Sequence, residues 1–576
     1  MTHDQTYSPD IEALLGGAEE KTYSPDVEAL IGGSPVGELD RPVSVVTPET
    51  GQPLAMGGGA YEASSLFDNS IAFWTPPIRS ADADILPDKS LADSRVRDMT
   101  RNDAYTASGV DVHRDSIVGG MFLLNAKPEY KVLGLDEVWA QEFQEEAETK
   151  FTLWAESLDN WVDASRMNTL TGLTRLAVGI DMLAGEVLAA VEWLRDPGRS
   201  FSTAIQMIDL DRLCNPDYSM DTETMRGGVL RDTYGAPKGY YIRMAHPSDF
   251  HNPDSMRWKF VPTRKPWGRL QMLHIVDQTR PAQSRGISRL VAGLKEMKIT
   301  KKWRDIMLQN AVVNASFAAS IESELPAEAV FQQLGSGNVG EGVTGYAEAY
   351  LGAIAKYAGN SRAMQLNGVK IPHLFPGTKL QLRPAGQGGP LGTEFEESLL
   401  RYLAAAFNVS YEQISHDYSK SNYSSIKAGI NETMKGMQAK KRMTADRFAS
   451  AIYALWLEEA INNGSITSLP RNAPNWYDGL NKEAYCSCEW IGASRGQVDE
   501  LKETQAAVLR LQNNITTYED EMARLGKDWR KVLVQREREN KEMKARGLVQ
   551  EQSNMMNAAS GAPRQKKVGN PGGQNA

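Results

Sequence analysis

The stretch Thr393-Glu394-Phe395-Glu396 opens a run that continues through His416-Asp417-Tyr418-Ser419-Lys420-Ser421-Asn422-Tyr423-Ser424-Ser425 to Asn462-Asn463-Gly464. Thr393 and Glu396 have the spacing of a capping box. Phe395, Leu399, Leu400, Leu403 and Phe407 then recur at helical intervals and mark one apolar face. Asn408 can end that helix, and Ser410-Tyr411-Glu412-Gln413 can start a short turn. The ten residues from His416 to Ser425 hold no aliphatic side chain and read as a polar loop. From Ile426 the helical spacing resumes through Ile430, Met434, Met437, Phe448, Ile452 and Leu455 up to Gly464. At ~1.5 Å per residue such a helix is on the order of 55 Å long, so it outspans a small domain and must pack on several neighbours.

The chain has 576 residues, a length that predicts several domains. An apolar content of 41% with mixed charges is that of a soluble globular protein. No apolar run approaches the ~20 residues of a membrane span. Met1-Thr2-His3-Asp4-Gln5 has neither a basic region nor an apolar core, so no secretory signal is expected and folding in a cytoplasm is. Three cysteines, Cys214, Cys486 and Cys488, cannot make a disulfide framework and read as reduced thiols. The net charge of −10 argues against non-specific DNA binding over the whole surface.

Residues 1–90 read as a flexible arm. Within it Thr6-Tyr7-Ser8-Pro9-Asp10-Ile11-Glu12-Ala13-Leu14-Leu15-Gly16-Gly17 returns 16 residues later as Thr22-Tyr23-Ser24-Pro25-Asp26-Val27-Glu28-Ala29-Leu30-Ile31-Gly32-Gly33, too few copies for a solenoid. The pair is read as a duplication in a disordered segment, or as a docking motif whose apolar residues meet a partner. Trp139, Phe143, Ala147, Phe151, Trp154, Leu158 and Trp161 step by three or four and predict one buried helical stripe, with Glu142, Glu145, Glu146 and Glu148 on a solvated acidic face. A second helix is expected from about Asn168 to Leu194. Residues 205–277 turn to short strands around Gln206–Leu210, Gly239–Met244 and Leu270–Val276. A third helix is expected from Gly286 to about Ile321. Residues 335–392 are Gly-rich, with a strand at Lys379–Leu382. A strand is expected at Ala484–Ile491, charged helix from Gln497 to Arg546, and a disordered tail over 550–576.

Tyr411-Glu412, Ser415, Asp417 and Asn422-Tyr423-Ser424-Ser425 resemble the signature of lambda-type phage portal proteins, the head–tail connectors. So do Arg97-Asp98 with Arg101-Asn102, Ile117-Val118-Gly119, Gly185-Glu186, His246-Pro247, and Arg280-Pro281-Ala282-Gln283 before Arg285-Gly286. These segments follow the family order from about residue 95 to 465. The resemblance implies a mainly α fold with a smaller α/β part, the clip. It divides the chain into wing (91–167), stem helix (168–204), clip (205–284), second stem helix (285–322), wing again (323–415), tunnel loop (416–425), long helix (426–464) and crown (465–549). It also implies a homo-oligomeric ring, dodecameric in the family, set at one capsid vertex of a virion assembled in the host cytoplasm. Double-stranded DNA would pass through it in both directions, and the implied partners are the terminase large subunit, the major capsid and scaffold proteins, and head-completion or neck proteins. No cofactor is implied.

By the same resemblance Asp417, Tyr418, Ser419, Lys420, Ser421, Asn422, Tyr423, Ser424 and Ser425 are the tunnel loop that touches DNA; an ordinary helix connector has the same composition. Lys295, Lys298, Lys301, Lys302 and Arg304 form a basic helix that faces DNA, a neighbouring subunit, or only solvent. No phosphate loop, Gly-x-Ser-x-Gly or dinucleotide fingerprint is present, so no enzymatic activity is expected. His246, Asp249, His251, His274 and Asp277 are the one set that suggests a metal, yet the spacing lacks a helical His pair and reads as turn and strand-end residues. A metal-dependent DNA-processing enzyme and a non-channel capsid adaptor remain the alternatives.

Overall fold

The computed structural model describes residues 70, 73–316, 364–366, 369–371, 393–494 and 499–548. The duplicated motif, the strand expected at Lys379–Leu382 and the tail over 550–576 lie outside the described residues. The chain divides into two compact units, Met1–Ser80 and Ala81–Ala576. The second begins with a helix at Ala81, so the last ten residues assigned to the arm are helical.

This unit opens with α1 (Ala81–Asn102) and α2 (Ala104–Ile117). Asp103 separates them because its carboxylate caps α2, accepting from the Thr106 N–H at 2.9 Å and the Thr106 hydroxyl at 2.7 Å. After β1 (Leu123–Ala126) comes α3 (Glu137–Ala155), capped by Asp136. Its Trp139, Phe143, Ala147, Phe151 and Trp154 are buried, as their spacing predicts. Leu158 and Trp161 lie beyond the helix end: Leu158 is fully exposed, and Trp161 is stacked by the guanidinium groups of Arg166 and Arg199. The acidic face is only partly solvated. Glu148 is buried and accepts from the Ala126 N–H at 2.9 Å, while Glu146 accepts from the N–H groups of Thr467 and Ser468.

The helix expected over 168–194 stops early. α4 spans Leu170–Ala184, and Gly185 ends it in the left-handed region at φ +72°. Glu186–Trp193 is a strand, β2, lying between β3 (Thr203–Met207) and β8 (Met272–Val276) in an antiparallel sheet. Val187, Ala189 and Val191 face the large helical core, whereas Leu188 and Ala190 face a second core. A strand buried on both faces is apolar throughout and shows no period of two, which is why it reads as more helix. β4 (Met225–Arg226), β5 (Val229–Arg231), β6 (Pro237–Arg243) and β7 (Trp258–Pro262) make a second antiparallel sheet in that order, with Val229, Tyr240 and Ile242 in the second core. Between residues 205 and 284 there are strands and 3₁₀ turns but no α-helix, so this smaller part is β rather than α/β.

The next helix, α5 (Leu294–Ser316), starts later than expected, after a 3₁₀ turn at Arg289–Gly293. α6 (Thr393–Phe407) and α7 (Tyr411–Ser415) lead to α8 (Tyr423–Lys440). A π-helical turn at Lys441–Asp446 joins α8 directly to α9 (Arg447–Asn462). The result is one continuous rod on the order of 60 Å long, as the spacing requires. Its far half is sealed in the core: Phe448, Ile452, Tyr453 and Trp456 are fully buried, and the Phe151 ring centroid sits 5.3 Å from Tyr453 and 5.2 Å from Trp456. Burial of each such side chain contributes about 1.5–3 kcal/mol.

Beyond the rod, Ala484–Ile491 is not one strand. α10 (Asn481–Cys486) buries Ala484 and Tyr485, and only Cys488–Ile491 forms a strand, β9, paired with β1. Burial holds the Cys486 thiol well above its ordinary value and pushes Cys488 up to about 11, which disfavours the reactive thiolate at both. α11 (Glu500–Gln512), α12 (Tyr518–Arg524) and α13 (Trp529–Ala545) supply the charged helical end expected there. Among the described residues, no helix is long and apolar enough to cross a membrane.

Candidate functional site

The polar segment before the rod is shorter than the sequence suggests. Tyr423, Ser424 and Ser425 form the first turn of α8 and not loop. Asn422 caps that turn: its side chain accepts from the Ser425 N–H at 2.9 Å, and the Ser425 hydroxyl accepts from the Asn422 N–H at 3.1 Å. The loop proper is therefore 416–422. His416 enters it in the left-handed region at φ 54° and lies 3.2 Å from the Ser108 hydroxyl. Asp417 accepts from the Ser419 N–H at 3.0 Å, and hydrogen bonds from Ser419 hold its carboxyl below the usual range. Ser421 donates to Glu412 at 3.0 Å, which ties the loop to α7. Tyr418, Ser419 and Lys420 remain exposed. Lys420 is not unpartnered: its ammonium pairs with Glu397 on α6, and that contact raises its pKa.

The basic helix splits into two sets. Lys301 donates to the Asn102 carbonyl at 2.7 Å, and Arg304 pairs with Asp103 while stacking on the Tyr105 ring at 4.8 Å. These two fasten α5 to the α1–α2 junction. Lys295, Lys298 and Lys302 are exposed, lie on one stripe of the helix, and make no ion pair among the described residues.

Several segments quoted for the family resemblance converge on one buried ionic hub. The Glu186 side chain is 0% exposed and meets Arg285 at 2.8 Å, Lys89 at 3.1 Å and His274 at 3.0 Å. The Gly286 N–H donates to it at 2.8 Å. Burial alone would raise this carboxyl, but Arg285, Lys89 and His274 outweigh burial and hold it well below its ordinary value. Arg285 also donates to the carbonyls of Leu213 and Gly227, both at 2.7 Å, so one guanidinium ties β2 to the second sheet. The backbone is close-packed here: a Cβ on Gly286 would stand 2.1 Å from the Gly185 carbonyl oxygen. Asp82, also buried, accepts from Arg231 and from the Ser284 N–H and hydroxyl.

The histidines do not gather as a metal site of the kind weighed from sequence. His274 belongs to the hub, and His251 is exposed. His246 instead faces Asp211 at 3.4 Å and Asp209 at 3.9 Å, two acids that no local spacing connects to it. These three have the reach to surround a cation. However, both Asp211 oxygens are already held by the Arg97 fork at 2.8 and 2.9 Å, so a cation would share that carboxylate with a guanidinium.

A family model for phage portal proteins of the lambda family matches residues 67–441. The chain is also 34% identical over 510 residues to the portal protein of Escherichia phage N15, covering 88% of this chain and 94% of that one. It belongs to the lambda family of phage portal proteins. Portal protein B of Escherichia phage lambda is likewise 34% identical, over 85% of this chain and 91% of its own. Among solved structures, a chain from the neck of an empty gene transfer agent (GTA) particle is similar at a TM-score of 0.37 and 14% identity, over 75% of this chain and 92% of that one. The ionic hub, the Arg97–Asp211–His246 contact and the capped start of the rod draw on residues that run from Arg97 to Ser425 in this portal-family chain.

Proposed function

We propose that this chain is the subunit of a portal, a multi-subunit ring at one capsid vertex of a virion through which double-stranded DNA enters and leaves, and that its loop 416–422 with the following turn to Ser425 faces the channel. The observation that carries the loop assignment is its position and make-up. Short polar side chains, one exposed lysine and no aliphatic group stand at the start of a rod whose other end is buried in the core.

A channel must hold a duplex without gripping it. Each phosphate neutralised by a fixed cation releases counterion and makes binding tight and salt-dependent. Base-edge contacts cost about 1–3 kcal/mol at every changed step and would stall passage. A chain of net charge −10 repeated around a ring repels DNA towards the axis. The Lys420–Glu397 pair adds a second device, because a lysine already neutralised by its own subunit exchanges that partner for a passing phosphate and returns to it. The exposed Lys295, Lys298 and Lys302 are a second place for DNA or a neighbouring subunit.

The finer reading follows the family: a ring of twelve, the terminase large subunit and neck or head-completion proteins docked on the 205–284 part, capsid and scaffold proteins around the ring, and assembly in the host cytoplasm. The work would come from the terminase and not from this chain. Negative-stain imaging of the purified chain tests the ring directly, with a central hole expected; solid or monomeric particles would sink the proposal.

A further inference from the structure

Residues 527–546 hold eight Lys or Arg and four Asp or Glu, so this stretch is net basic in a chain of net charge −10. It comprises α13 and its flanks. The helix is held at its start: Asp528 caps it, accepting from the Arg530 N–H at 2.9 Å, and Trp529 and Val532 are partly buried. From Leu533 to Leu548 every residue is exposed. A helix without a packed face takes its support from its own side chains. Here Gln535 donates to Glu539 at 2.9 Å, Lys541 pairs with Glu537 at 2.6 Å, and Arg546 pairs with Glu542. At about 3.6 residues per turn, Lys531, Arg538, Lys541 and Lys544 fall within about 140° of one another. Glu537 is the one acid within that arc, and Lys541 already holds it. Arg536, Arg538 and Lys544 make no ion pair among the described residues.

We propose that the basic face of α13 binds the phosphate backbone of duplex DNA, as a contact separate from the loop 416–422. The proposal rests on the portal reading, which brings DNA to this chain, and names a place where the chain holds it. A cation with a partner in its own subunit gains little from a phosphate, and Lys420 must leave Glu397 to reach one. Arg538 and Lys544 give up no ion pair, so each phosphate they neutralise releases counterion without that loss. The row from Lys531 to Lys544 is ~20 Å long. Cations set along such a row touch backbone and read no base, so the contact is salt-dependent and indifferent to sequence. The loop and the helix then divide the work: the first lets the duplex slide, and the second retains it.

The test uses the full-length chain and a labelled duplex, with binding followed by fluorescence anisotropy over a salt series. The triple variant Arg538→Gln, Lys541→Gln, Lys544→Gln should bind at least tenfold more weakly at low salt, with a salt slope flatter by about 2–3. The loss should be equal on A·T-rich and G·C-rich duplexes. A second triple, Lys131→Gln, Arg195→Gln, Arg471→Gln, removes the same charge from exposed positions on other elements and should bind within twofold of the wild type. An α13 variant that binds like the wild type, or a second triple that weakens just as much, overturns the proposal. So does an α13 variant that loses its rings in negative stain while its DNA affinity holds, the result expected if a neighbouring protein surface covers the helix. Circular dichroism reports whether α13 stays folded; if the triple substitution melts it, Arg538→Gln with Lys544→Gln, which breaks no ion pair, takes its place. Wild-type rings with unchanged binding in the variant sink this inference alone, whereas a wild-type chain that forms no rings sinks the portal reading.

Discussion

Glu186 on β2 and Arg285 in the turn before α5 stand 2.8 Å apart, their side chains 0% and 5% exposed. Both are shut away from bulk water, so the Glu186 carboxylate is sustained by Arg285, Lys89 and His274, and the Arg285 guanidinium by Glu186 and the carbonyls of Leu213 and Gly227. A buried pair of this kind is a poor source of net stability but a severe loss when one partner is removed.

Glu186→Gln is therefore expected to destabilise the fold by about 3–5 kcal/mol, because Arg285 keeps its buried charge without a counterion and Lys89 is left with Asp93 alone, 3.0 Å away. Denaturant titration of the variant against the wild type measures it. The pH dependence has a definite sign. The folded carboxyl lies well below its ordinary value of 4.5, so its contribution is fully present above that value and is lost as pH falls through the folded-state value. A variant as stable as the wild type at neutral pH would contradict the hub.

His113 predicts a second acid response in a different window. Burial on α2, aided by the nearby Lys440 ammonium, lowers its pKa from 6.5 to about 4, although the ring donates to the Gly109 carbonyl at 2.8 Å and Asp181 faces it, both of which favour the charged form. The unfolded chain then binds the proton first. Stability should fall as pH drops from about 6.5 to about 4, by about 3 kcal/mol in all. In His113→Gln, melting temperatures over that range should decline less steeply than in the wild type.

Gly286→Ala should be poorly tolerated, since the added methyl meets the Gly185 carbonyl at 2.1 Å and no side-chain rotation relieves a backbone contact. A cost of more than about 2 kcal/mol is expected. Gly120→Ala, where nothing stands within 4 Å, is the control. Equal melting temperatures for the two variants would show that the 185–286 approach is looser than described.

The basic residues on α5 should separate in behaviour. Arg304→Ala leaves the buried Asp103 carboxylate without its cation and should cost about 1–3 kcal/mol. Lys298→Gln with Lys302→Gln should leave the melting temperature unchanged, because neither lysine is tied down. If those lysines face DNA, packaging in the double variant should lose part of its salt dependence; an unchanged salt profile would assign them to solvent or to a neighbour.

Lys420→Ala should leave ring assembly and melting temperature as they are and change DNA retention or packaging. Glu397→Gln, which releases Lys420, should slow packaging at low salt more than at high salt. Failed assembly in either variant with no DNA phenotype would make the loop a plain connector.

Much of the helical layer was legible from spacing alone. The α3 stripe and the rod were visible because a half-buried helix must repeat its apolar residues every three or four positions. β2 was hidden for the opposite reason: buried on both faces, Val187–Val191 has no pattern to read. The end of the loop was misplaced although Asn422 and Ser425 have capping spacing, a signal the ten-residue polar run obscured. The hub was legible only as isolated quotations. Gly185-Glu186 and Arg285-Gly286 are some hundred residues apart, and neither Lys89 nor His274 stands out locally, so only the fold could show them as one object.

The π turn at Lys441–Asp446 inserts one residue into the repeat of the rod, which amounts to a rotation of about 100° between its two halves. Lys441, bonded to Asp446 at 2.7 Å and to the Trp490 carbonyl at 2.8 Å, pins that offset in place. The azimuth at which residues 416–422 point is thus set some twenty residues downstream. Deleting a single residue there would re-aim the tip while the anchored base stayed put, much as removing one tooth from a gear changes the hour a clock hand shows.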